Sequence, residues 1–79
     1  MNQTGTHIIT DELTLTDFIW DINTILWLYD QDIIWIEVYF NGGTEARSFQ
    51  YATSDTSITK QDCKDYLLTL SQFAGSTES

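Results

Sequence analysis

Two side chains in this 79-residue chain could serve as nucleophile or base, His7 and Cys63, and each is the single residue of its type. A catalytic triad needs a histidine oriented by an acid beside a nucleophile, and a two-histidine zinc site needs a second imidazole. One histidine in the N-terminal segment supports neither. Cys63 falls on an apolar stripe, where a thiol packs as a small hydrophobe. Lys60, one turn earlier, could lower its pKa, but no base or oxyanion donor accompanies the pair. Asp30-Gln31-Asp32 starts like a calcium loop, then Ile34 and Trp35 stand where further oxygen ligands and a glycine are required. Asn41-Gly42-Gly43 is glycine-rich but joins two extended segments, so it does not open onto a helix as a phosphate cradle does. The sequence predicts no enzyme activity, no metal and no cofactor.

What remains is the chemistry of recognition. The first 46 residues hold eight carboxylates and no lysine or arginine; Arg47, Lys60 and Lys64 are the only cations, and the formal charge is -9. Like charge disfavours direct binding to DNA or to anionic membranes. A composition 42% apolar and 14% aromatic is enough for a core. One domain over residues 1–79 is expected, with 1–5 and 76–79 frayed. A single cysteine cannot bridge within the chain and fits a reducing compartment. The start lacks a basic region followed by an apolar run, and no apolar stretch is long enough for a bilayer. Sequence therefore predicts a soluble, cytoplasmic protein.

Several elements must position these groups. Thr6–Thr10 reads as a short edge strand. Thr14 and Asp17 form a variant capping box, with Leu13 and Phe18 as its hydrophobic staple. Leu15, Phe18, Ile19, Ile22, Leu26 and Tyr29 recur at helical spacing, so a helix is expected to reach about Tyr29. Ile33 to Asn41 reads as a strand, Asn41-Gly42-Gly43 as a hairpin turn and Ala46 to Thr53 as the returning strand. Alternation puts Ile34, Ile36, Val38 and Phe40 on one face opposite Phe49 and Tyr51, and Trp35, Glu37 and Tyr39 on the other. Thr59 and Asp62 cap a last helix with Cys63, Tyr66, Leu67, Leu70, Phe73 and Ala74 inward and Gly75 as its stop. The expected fold class is α+β, a small (β)αββα domain with two helices packed on a hairpin or three-stranded sheet.

In such a helix Trp20 and Trp27 share a face roughly 150° from the core stripe. Three readings stay open for that face: core, if the first helix is central; a homodimer seam; or a partner-binding site. The candidate partner-binding set joins the acids Asp17, Asp21, Asp30, Asp32, Glu37 and Glu45 to the aromatic anchors Trp20, Trp27, Trp35 and Tyr39. A generic surface intersperses both signs of charge, whereas an unmixed one complements a basic groove that tracks a nucleic-acid backbone.

In size, charge and αββα-type content the chain resembles the small acidic inhibitors encoded by phages and mobile elements, including anti-CRISPR and antirestriction proteins, some of which imitate nucleic acid. That resemblance implies an inhibitor that occludes a basic nucleic-acid-binding surface on a larger protein or effector complex. Two alternatives are an immunity or antitoxin-type protein that neutralises a basic nuclease or toxin, and a homo-oligomeric adapter with no inhibitory role.

Overall fold

Four strands run as an antiparallel meander, in spatial order β1-β2-β3-β4: β1 (Asn2–Thr10), β2 (Leu13–Leu28), β3 (Ile33–Phe40) and β4 (Glu45–Ala52). A single 3₁₀ turn (Tyr29–Gln31) links β2 to β3, and one α-helix, α1 (Lys60–Leu67), follows the sheet. The structure is a computed structural model and describes residues 1–78.

The expected first helix is a correction: residues 13–28 form the longest strand, so the fold is a four-stranded sheet with one short helix, not two helices on a hairpin. Composition favours the strand. β2 carries six β-branched residues (Thr14, Thr16, Ile19, Ile22, Thr24, Ile25) and three aromatics, and lacks alanine, lysine, glutamate and glutamine. Its periodicity misleads because two irregularities shift the alternation. Leu13, Leu15, Phe18, Trp20, Ile22, Ile25 and Trp27 pack into or against the core, in steps of two broken twice by a step of three. The first long step crosses Asp17, held at φ +50° opposite Thr4 and Gly5. The second crosses Asn23, an extra residue between the Ile22–Val38 and Thr24–Glu37 pairs. Steps of three imitate helical spacing, yet Ile19, Leu26 and Tyr29 of the supposed helical stripe are exposed.

Local signals complete in themselves hold. The β3–β4 register pairs Ile36 with Phe49 and Ile34 with Tyr51. Asn41, Gly42 and Gly43 take the positive φ angles (+52°, +75°, +101°) that the turn demands. The Thr59 and Asp62 capping box closes through both bonds, 3.2 Å from the Asp62 N–H to Thr59 Oγ1 and 2.9 Å from the Thr59 N–H to Asp62 Oδ2. The α-helix stops at Leu67, and the chain continues as tight turns to Gly75.

α1 and these turns cover one face of the sheet, giving a two-layer core. Phe73 is its centre, with ring centroids 4.5 Å from Trp20, 5.3 Å from Phe49 and 6.1 Å from Phe40, while Tyr66 stacks on Tyr51 at 4.2 Å. The two ends of the described chain meet. Asn2 and Thr77 exchange both backbone hydrogen bonds, and buried Gln3 donates to the carbonyls of Gln72 and Ala74. Ser79 lies outside the described residues.

Candidate interaction surface

Among the described residues, the opposite face of the sheet has no second layer. Alternation along each strand and the cross-strand register set its rows: Asp21, Tyr39 and Ala46; Thr24, Glu37 and Ser48; Leu26, Trp35 and Gln50. Ile19 (53% exposed), Leu26 (50%) and Tyr39 (39%) leave apolar surface in water, with Trp35 partly exposed opposite Leu26. Glu37 sits in the middle row. Its Oε1 accepts 2.7 Å from the Asn23 amide, so the bulge that shifts β2 also orients the central carboxylate. A shallow hollow of about 340 Å³ opens beside Tyr39, bordered by Ile19, Asp21, Asn23 and Gly42.

A second cluster lies at the β2–β3 end. Trp27 and Tyr29 stack with centroids 5.9 Å apart and planes 14° from parallel, and Tyr29 is 69% exposed. Asp30, Gln31 and Asp32 are exposed beside them, with Asp32 in the left-handed region at φ +51°.

The ten candidate residues therefore divide. Trp35, Glu37 and Tyr39 share the open face, and Trp27, Asp30 and Asp32 share the turn. Asp21 stands at the margin of the open face. Asp17 braces the β1–β2 irregularity, its Oδ1 accepting the Gly5 N–H at 2.8 Å. Glu45 lies in the row of Phe40 on the helix-covered side of the sheet and meets Arg47 at 3.4 Å. Trp20 is 1% exposed, and its Nε1–H donates to Ser76 Oγ at 3.0 Å, so it is core and reaches no partner. The helical reading passed over Ile19, Asn23, Leu26 and Tyr29 as surface groups. The β-branched composition of β2 signals a strand there, though not which of its residues face outward.

No family model, curated protein or solved structure matches the chain.

The charge pattern also changes in three dimensions. Lys64 and Lys60 return to Asp21, at 3.4 and 3.9 Å, so all three cations meet acids of the first 46 residues. Partial burial disfavours the Asp21 charge. The Ile22 N–H and then the two ammonium groups outweigh it, and the carboxyl is held below its ordinary range. A folded pKa below the unfolded one adds stability above the unfolded value, about 3.9, which is lost as pH falls through the folded value. Asp21→Asn is expected to cost under about 1 kcal/mol at pH 7, as exposed pairs do. In urea melts the gap to the parent should close as the pH drops below about 4; a gap undiminished in acid would exclude the ion pairs as its source.

His7 Nε2 lies 2.8 Å from the Thr4 carbonyl, and its ring meets the edge of Phe18. Burial, with Asp62 adding to it, pushes the Cys63 thiol above its usual pKa and away from the reactive thiolate. No three His, Cys, Asp or Glu side chains converge as metal ligands among the described residues. No helix among them is long and apolar enough to cross a membrane.

Proposed function

We propose that the chain is a non-catalytic acidic inhibitor that acts in the cytoplasm by covering a basic nucleic-acid-binding surface of a larger protein. The observation that carries this reading is the open sheet face, where Trp35 and Tyr39 flank an oriented Glu37 on a chain of charge -9 whose three cations are engaged internally. Tryptophan and tyrosine are enriched as anchors at interface centres, and an oriented Glu37 between them offers an acceptor to a basic partner. The net negative field speeds encounter with a basic surface and makes it salt-sensitive, while desolvated Trp35 and Tyr39 set the dissociation rate. Inhibition by this route is competition without turnover.

The test is affinity capture from host lysate at low and high salt, comparing the parent with Trp35→Ala/Tyr39→Ala and Glu37→Arg. A captured nucleic-acid-processing protein should lose its nucleic-acid binding when the parent is added. Truncating two interface anchors should weaken capture by about 30-fold or more. Capture that ignores both variants, or a captured protein that still binds nucleic acid in the complex, would overturn the proposal. Recovery of the bait's own copies alone would favour the oligomeric adapter.

A further inference from the structure

The β2–β3 end carries a second, chemically more specific feature. The stack of Trp27 on Tyr29 leaves most of Tyr29 in water, which a protein gains little by doing for stability alone. Beside it a groove of about 270 Å³ is lined by Trp27, Leu28, Tyr29, Asp30 and Gln31. The turn is fixed: the Asp32 N–H donates to the Tyr29 carbonyl at 3.4 Å, and the Thr53 N–H donates to the Asp32 carbonyl at 2.9 Å. Among the described residues neither Asp30 nor Asp32 has an ion-pair partner, since Lys60 and Lys64 are at Asp21 and Arg47 is at Glu45. An open aromatic face, a shallow groove and an unpaired carboxylate thus stand together at the tip.

We propose that this tip is an arginine-recognition site. The guanidinium plane of a partner's arginine stacks on Tyr29, and the Asp30 carboxylate accepts its N–H groups. Guanidinium suits both parts, because it is planar, stacks on aromatic faces and presents a fork of donors that matches a carboxylate. A lysine ammonium offers a point charge that holds its water more strongly and cannot stack. The inference rests on the reading that the partner is basic, and it names the side chain that the tip selects. It places a second anchor at one end of the sheet, apart from the Trp35–Tyr39 face.

The three tryptophans provide separate reporters: the indole of Trp20 is in the core, Trp35 on the open face and Trp27 at the tip. The experiment titrates ¹⁵N-labelled protein with acetyl-Gly-Arg-Gly-amide, and separately with its lysine counterpart, and follows the indole and backbone N–H signals. The arginine peptide should shift the Trp27 indole and the 29–32 amides saturably, with a dissociation constant on the order of 10 mM, as expected for one isolated side chain. The lysine peptide should bind at least about threefold more weakly, because it lacks the planar stack. Tyr29→Ala, at an exposed position, should abolish the shift with the other signals in place. Absence of a saturable shift, equal response to lysine, shifts centred on Asp55, Asp62 and Asp65, or indifference to Tyr29→Ala would each overturn the proposal. None of those results touches the capture experiment with Trp35 and Tyr39 variants, so the tip can fail while the open face stands.

Discussion

Trp20→Ala is expected to remove about 3–5 kcal/mol of stability, the usual cost of truncating a fully buried tryptophan, whereas Trp35→Ala should leave the fold standing. Trp20 packs on Phe73, which in turn touches Phe40 and Phe49, so the indole links the sheet to the turns that follow α1. Its loss also removes the indole hydrogen bond to Ser76 Oγ. A domain of this size has roughly 4–12 kcal/mol to lose, so the substitution removes a large share of its stability. Its melting temperature by circular dichroism should fall by roughly 12–40 °C, given 4–8 °C per kcal/mol for small domains. A melting temperature within a few degrees of the parent would mean that Trp20 lies outside the core. Trp35→Ala is the control, because its ring lies on the uncovered face. The two substitutions separate stability from binding, which a double variant at Trp20 and Trp27 would confuse.

Elements whose signals are local and self-sufficient could be read from residues alone. Thr59 with Asp62, the Asn41-Gly42-Gly43 turn and the alternation of Ile34, Ile36 and Val38 each fit within a few positions, and the structure keeps all three. β2 could not be read by period, because its inward residues are in phase only when the extra residues are known, and these are defined by partner strands distant in sequence. Trp20 and Trp27 show the consequence. Seven residues apart, they share a face in a helix, and they also share one in this strand because Asn23 restores the phase; the shared face is the core side. Trp35, Glu37 and Tyr39 were legible as an outward row because β3 has no bulge within their span. The return of Lys60 and Lys64 to Asp21 was not legible, since it requires knowing that α1 approaches β2.

Deleting Asn23 should leave the protein folded, and deleting Glu37 should not. In β2 the extra residue is accommodated by the bulge, with Asn23 and Thr24 both exposed. Its removal lets Ile22–Val38 and Thr24–Glu37 follow each other as ordinary neighbours, with Ile22, Ile25 and Trp27 still inward. The loss is the Asn23 hydrogen bond to Glu37 at the surface, worth about 1 kcal/mol or less. β3 has no such slack. Without Glu37, every later side chain changes face, so that Val38 and Phe40, both fully buried, turn outward and Tyr39 and Asn41 turn in. Exposing a valine and a phenylalanine costs about 1.5–3 kcal/mol each, and burying an unpartnered amide adds about 1–3 more, which together consume most or all of the stability of a small domain. The expected readout is a dispersed amide spectrum and cooperative melt for the Asn23 deletion and neither for the Glu37 deletion. A first helix spanning Asn23 would respond differently, because one deletion there turns every later residue by about 100° and removes Leu26 and Tyr29 from the stripe. Collapse of both variants would therefore count against the bulged strand, and the pair of deletions tests the element on which both candidate surfaces depend.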